Sequence, residues 1–106
     1  MTTFDNREQA FENKFAHDAE IQFKVDARSR HLLYLWAANQ MGKHGEDAVE
    51  YAKSVLADWL KPNALGPVER VMADLKAAGI TVSEQDVKTK LAALLAQAKQ
   101  QVMDES

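Results

Sequence analysis

Apolar residues recur at helical spacing in four stretches of the chain, and short breaks that contain glycine or proline separate them. These stretches run approximately over residues 19–41, 46–60, 67–78 and 84–103. No stretch alternates apolar and polar residues for long enough to indicate a β-strand. Four amphipathic helices on short loops bury their apolar stripes against one another. The pattern therefore predicts an all-α fold, a small antiparallel four-helix bundle.

Each stripe supplies residues for the expected core, with both tryptophans largely buried. The members are Ile21, Val25, Leu32, Leu33, Trp36, Ala48, Ala52, Val55, Trp59, Val68, Val71, Met72, Leu75, Val87, Leu91, Leu94, Ala98 and Val102. The run Arg28-Ser29-Arg30-His31 interrupts the first stripe. At the breaks, Pro67 is expected to start a helix and Gly79 to follow the end of one, while Ser83 and Asp86 resemble a capping box.

The first eighteen residues follow a different pattern. Phe4-Asp5-Asn6-Arg7 is echoed seven positions later by Phe11-Glu12-Asn13-Lys14, and Phe15 follows. On a helix the three phenylalanines fall within a band of about 40°. The stripe of Ile21 and Val25 lies roughly 40–100° away from that band, so a single rod would bury only one face neatly.

Energetics favour a separate role for this segment. Burying three Phe side chains yields roughly 5–9 kcal/mol, whereas ordering fifteen residues costs on the order of 15–30 kcal/mol before hydrogen bonds are counted. We therefore predict a mobile N-terminal arm, residues 1–18, that orders on a partner, and a bundle of residues 19–106. The alternative is a structural or adaptor bundle for another protein, with the Phe-rich arm packed on its own core.

Composition excludes several functions. The 106 residues fit one domain, and 13 Lys plus Arg against 16 Asp plus Glu, with a pI near 5.5, argue against a nucleic-acid or anionic-membrane binder. Cysteine is absent, and the start shows no signal-peptide pattern. The longest apolar run, residues 32–38, is too short to span a bilayer. We expect a cytoplasmic protein that is not an enzyme, because no catalytic set is visible.

The sequence carries incomplete signals for a metal site, a pH-responsive pair and a phosphate-binding loop. His17 and Glu20 are spaced like metal ligands, but no third ligand is placed, so no metal site is expected. His17 and Asp18 could act as a pH-responsive pair, although a solvated helical histidine explains the same residues. The segment around Gly42-Lys43 lacks the remaining features of a phosphate-binding loop.

Short motifs spread from Phe4 to Leu60 resemble one known family. They are Phe4-Asp5-x-Arg7-Glu8, Phe15-Ala16-His17-Asp18, Phe23-Lys24, Ala27-Arg28, Leu32-Leu33, Trp36-Ala37-Ala38 and Tyr51-Ala52. In these motifs and their spacing the chain resembles the zeta-subunit family of bacterial F-type ATP synthases, the small ATPase-inhibitor subunit. The chain differs from that pattern at Tyr34, where the family usually has glycine, and in the connection before the third helix.

The resemblance implies a regulator whose leading segment inserts as an inhibitory helix between catalytic subunits of the synthase head, and blocks ATP hydrolysis. It implies peripheral association with the inner membrane through the synthase, a monomer when free, and no cofactor. Weak adenine-nucleotide binding is also implied, without a residue to assign it to. The partner-binding residues that it implies are Phe4, Phe11 and Phe15 as anchors, Arg7, Glu8, Glu12 and Lys14 as charge contacts, and His17 and Asp18.

Overall fold

The chain forms four helices in a computed structural model, which describes the backbone of residues 3–105 and the side chains of residues 18–105. The helices are α1 (Thr3–Gln40), α2 (Glu46–Trp59), α3 (Pro67–Ala77) and α4 (Glu84–Glu105), and the described backbone contains no strand. The all-helical class is confirmed. The predicted bounds of α2, α3 and α4 agree to within two residues, whereas α1 begins at Thr3 instead of about residue 19.

Helix α1 is the central element. It packs against each of the other three helices, and α3 also packs against α4. Within the described backbone, α2 makes close helix–helix contact with α1 alone. The other three helices are therefore arranged around α1, and α2 depends on α1 for its packing.

The core follows the predicted stripes and adds residues that the stripes did not include. Its buried apolar members are Val25, Leu33, Tyr34, Ala37, Ala38, Ala48, Ala52, Val55, Val71, Leu75, Val87, Leu94, Ala98 and Val102. Tyr34, at the position where the resemblance leads one to expect glycine, is fully buried and packs in the main cluster. The small residues Ala37, Ala38, Ala48 and Ala52 allow helices α1 and α2 to approach each other closely.

Both tryptophans are largely buried, as predicted, although neither is fully enclosed. Trp36 packs against the edge of the main cluster. Trp59 lies in the last turn of α2, where Phe23 and Arg30 of α1 cover it. Both indole rings thus lie at the border of the core, where a large ring can bury part of its surface without a partner for its N–H group.

The supposed interruption of the first stripe was also wrong. Ser29 is buried, and its hydroxyl donates a hydrogen bond to the Asp26 carbonyl at 2.9 Å, so this small polar residue is satisfied inside the core. The buried face of α1 consequently continues from Val25 through Ser29 to Leu33.

The helix ends agree with their sequence signals. Pro67 occupies the first turn of α3. Gly79 has φ of 79°, and the Ile80 N–H donates to the Leu75 carbonyl at 2.9 Å, which is the Schellman pattern at the end of α3. The Ser83 hydroxyl accepts a hydrogen bond from the Asp86 N–H at 3.0 Å and so caps the first turn of α4.

Candidate partner-binding surface

The candidate site is the leading part of α1, which the structure places on the same continuous helix as the core residues. The backbone at Phe4, Arg7, Glu8, Phe11, Glu12, Lys14, Phe15 and His17 belongs to α1, and the side chains of these eight residues lie outside the described ones. Asp18 is described and is exposed, as are Ala19 and Glu20. Their roles in partner binding stay predictions.

Because this segment is helical, the angular positions of its residues around the helix axis can be compared with those of the core residues of α1. At 100° per residue, the positions of Phe4, Phe11 and Phe15 fall within about 20° of a common direction, and Ser29 and Leu33 fall in the same range. The premise that the aromatic band lies off the core stripe was therefore wrong. The prediction placed Leu33 beside the stripe and Ser29 in an interruption of it, whereas both residues are fully part of the buried face.

Among the described side chains of α1, packing begins at Ile21, about one turn after Asp18. Ile21 is half-buried, Val25 is buried, and both pack with Ala98 and Val102 of α4. The last turn of α4 thus lies beside residues 21–28 of α1.

A charged clasp fixes that last turn of α4. The guanidinium of Arg28 donates two hydrogen bonds to the Glu105 carboxylate, at 2.7 Å and 2.9 Å, and a third to the Gln101 amide oxygen at 3.2 Å. These hydrogen bonds hold the pKa of Glu105 below its usual value. The paired geometry specifies the orientation of the two planar groups more strongly than a single contact would.

On the other side of α1, an aromatic and cationic stack fixes the end of α2. The Trp59 ring lies 5.9 Å from the Phe23 ring, at an interplanar angle of 19°. The Arg30 guanidinium carbon lies 4.2 Å from the centroid of the Trp59 ring. Arg30 Nη1 is buried and has no hydrogen-bond partner within the described part of the chain. The electron-rich indole face is therefore the attractive contact found for this cation.

The connection between α2 and α3 is held by a polar network. Asp74 accepts a 2.6 Å hydrogen bond from the Tyr51 hydroxyl and a 2.9 Å bond from Arg70 Nε, and Asp58 accepts bonds from Arg70 and Lys61 at 2.9 Å and 3.0 Å. Burial, together with the bond to Asp74, raises the pKa of Tyr51 strongly. The network links two helices that otherwise make no close backbone contact in the described structure.

His31 is the half-buried histidine of the bundle. Burial lowers its pKa, and the nearby charges of Arg28 and Lys53 lower it further. Since the folded state disfavours the charged ring, His31 is expected to be neutral near pH 7. Its protonation would cost stability as the pH falls below its ordinary value of about 6.5.

Two features, a metal-binding group and a membrane-spanning helix, are not found among the described residues. No group of three His, Cys, Asp or Glu side chains among them is placed to hold a metal ion. No described helix combines the length and the apolar character that crossing a bilayer requires.

Sequence reasoning did not identify Phe23, Arg30 and Trp59 as a structural unit. The signal was present in part, since residues 23 and 30 are seven apart and share a helix face. The contact of that face with Trp59 depends on how α2 packs against α1. The spacing of residues within a single helix does not reveal this packing.

Together, the long helix α1 and the three shorter helices, which pack on its later part among the described residues, define an all-α protein. The ATPase inhibitor subunit zeta family matches residues 1–101, so the chain belongs to this family. No curated protein matches the chain. Membership makes it a regulatory, non-catalytic protein that inhibits ATP hydrolysis and associates with ATP synthase.

Proposed function

We propose that the leading part of α1, residues 3–18, is an inhibitory helix that enters a catalytic interface in the head of the F-type ATP synthase. The observation that carries this proposal is the shared register of Phe4, Phe11 and Phe15 with the buried positions Ser29 and Leu33 on one helix. One face of α1 would then be covered along its whole length. A groove in the partner would cover its leading half, and the other three helices cover its later half.

The proposed roles follow from the residue types. Three aromatic anchors in one direction are the kind of side chains that dominate interface energetics, and Phe4, Phe11 and Phe15 supply them. Arg7, Glu8, Glu12 and Lys14 lie between them in the sequence and would form charge contacts at the edges of the groove. His17 and Asp18 would lie at its mouth. These would be contacts of a protein–protein interface, so no cofactor is assigned.

Residues 19–106 would form the antiparallel bundle that carries the arm. The clasp between Arg28 and Glu105 supports this arrangement, since it joins the end of α4 to the early part of the packed α1. A folded carrier holds the arm at high local concentration once it touches the synthase, which helps offset the entropy lost when a mobile segment orders. The chain would thus lie in the cytoplasm, at the membrane only through the synthase.

The test measures hydrolysis and synthesis separately. Purified chain is added to the ATP synthase of its own source, and a chain that lacks residues 1–15 serves as the control. Full-length chain is expected to inhibit hydrolysis and to leave most synthesis intact, while the shortened chain has no effect. Equal inhibition by both chains would contradict the proposed role of the arm.

Amide exchange distinguishes this function from a structural bundle whose arm packs on its own core. Exchange at residues 3–18 is expected to be fast in the free chain and slow in the complex, because an isolated short helix is marginal and a docked one is protected. Slow exchange in the free chain would favour the structural alternative.

A further inference from the structure

The most exposed large apolar side chains gather at one end of the bundle. Among the described residues, four such side chains are more than half exposed, namely Leu60 at 70%, Phe23 at 55%, Met103 at 53% and Leu65 at 52%. We name this set the collar. Exposed apolar residues scattered singly need no explanation, but a cluster at one place indicates an interaction site.

Contacts in the structure place the collar around the point where α1 leaves the bundle. On one side, Phe23 stacks on Trp59, and Leu65 lines a small cavity together with Trp59. On the other side, Met103 lines a groove of about 390 Å³ together with Ile21. Leu60 directly follows Trp59 at the end of α2. The collar thus lies on both flanks of α1, at the level where its exposed residues 18–20 give way to packed ones.

We propose that the collar is a second contact with the ATP synthase, seated on the apolar rim of the cleft that receives the arm. This inference rests on the proposed function. Helix geometry indicates that the same synthase covers the collar, because Phe23 lies about 12 Å beyond Phe15 along α1 at 1.5 Å per residue. A partner that buries the arm as far as Phe15 must have its surface within one or two turns of the collar.

The collar also has the structure that a docking surface needs. Trp59 contacts both Phe23 and Arg30, and the Arg28 clasp fixes the last turn of α4, so Phe23 and Met103 of the collar stand on packed helices. Little conformational entropy of the backbone remains to be lost when such a surface binds. The arm then gives specificity for the cleft, and the collar slows dissociation.

The test replaces two collar residues that are not part of the core. The full-length variant with Leu60→Gln and Met103→Gln is compared with a control, Val49→Gln, whose original side chain is exposed near the start of α2, outside the groove that Met103 lines. Circular dichroism and the melting temperature confirm that both variants fold. The affinity for the synthase is read from the concentration that half-inhibits ATP hydrolysis and from the dissociation rate.

The collar variant is expected to need about 5- to 30-fold more protein for half-inhibition, through faster dissociation, as for interface residues outside the central anchors. Its maximal inhibition should equal that of the wild type, since the arm is intact. The control should stay within about twofold of the wild type.

Three results would overturn the collar alone, and a fourth would overturn the proposed function with it. If the collar variant and the wild type bind the synthase with equal affinity, the collar is not a contact, and the proposed function still stands. Equal losses in the collar and control variants would show a nonspecific effect of polar substitution. A sedimentation change from dimer to monomer in the collar variant, with inhibition unchanged, would assign the surface to a second copy of the chain. If the wild type itself neither binds nor inhibits the synthase, both the collar and the proposed function fail.

Discussion

At the scale of single residues, the boundary between arm and bundle depends on side chains that combine apolar surface with charge. Arg30 is buried against an indole face, and such contacts contribute roughly 0.5–2 kcal/mol depending on desolvation. Arg28 instead reaches outward and fixes Glu105 through two hydrogen bonds. Two arginines two positions apart in the sequence thus anchor two different helices, α2 and α4, to opposite sides of α1.

The central phenylalanine of the arm should contribute most to inhibition. Phe11→Ala is expected to weaken binding by about 2–4 kcal/mol, roughly 30- to 1000-fold, because central anchors surrounded by other contacts carry the most binding energy. Asn13→Ala, on the opposite side of the helix, should change affinity by less than about tenfold. Titration of ATP hydrolysis with each variant measures both. Equal losses would show that the repeat does not present a single face.

A charge reversal in the arm should have an intermediate effect. Arg7→Glu is expected to weaken inhibition less than Phe11→Ala and more than Asn13→Ala, with a loss that shrinks as salt rises, since charges at the rim of an interface are screened. Inhibition curves at low and high ionic strength give the comparison. A loss independent of salt would place Arg7 in a buried contact instead.

Tyr51 should make the bundle sensitive to alkali. Because its pKa is raised in the folded state, folded protein holds the phenolic proton more tightly than unfolded protein. Its stabilising contribution is therefore complete below the ordinary tyrosine pKa of about 10 and is lost as the pH rises above it. The melting temperature of the wild type should fall more steeply above about pH 10 than that of Tyr51→Phe. Parallel curves for the two proteins would contradict this.

At the scale of elements, one face of α1 carries two kinds of residue along its length. Its later half contacts α2, α3 and α4 through small and β-branched residues, with Leu33 and Tyr34 fully buried. Its leading half, at the same register, carries phenylalanines. Small side chains permit the close approach of helices that are always together, whereas large aromatic side chains supply much buried area to a contact that must form on binding.

Two neighbouring leucines of α4 provide a matched test of the core. Leu94 is buried and Leu95 is exposed, so Leu94→Ala should lower the free energy of unfolding by about 2–5 kcal/mol and Leu95→Ala by less than about 1 kcal/mol. Chemical denaturation of both variants gives the two values. Similar losses would show that the packed face of α4 is misassigned.

At the scale of the whole molecule, the arm and the bundle should separate function from stability. Deleting residues 1–15 is expected to leave the melting temperature nearly unchanged, because the packed part of α1 begins at Ile21. The same deletion should abolish inhibition of ATP hydrolysis. Calorimetry and the hydrolysis assay on one protein preparation test both. A fall of many degrees would mean that the phenylalanines stabilise the free bundle.

The sequence by itself determined α2, α3 and α4 with their ends, and the end of α1 but not its start. Gly79, Pro67 and Ser83 act within a few residues of their own positions, through a left-handed φ, a fixed φ and a side-chain cap, so their effects could be predicted without a fold. The apolar period likewise identified Val71, Leu75, Val87, Leu94, Ala98 and Val102 as core. The family motifs were also legible, and the family match confirms them.

Only the tertiary structure decided which residues of α1 form its buried face. Ser29 and Arg30 look like a polar interruption, yet one is buried with a backbone partner and the other covers Trp59. A polar side chain can be buried when a protein partner replaces its hydrogen bonds to water. Such partners come from other turns and other helices, so the apolar periodicity of one helix does not reveal them. The place of the Phe band in line with Ser29 and Leu33 followed from that correction, because a helix face is defined by what packs on it.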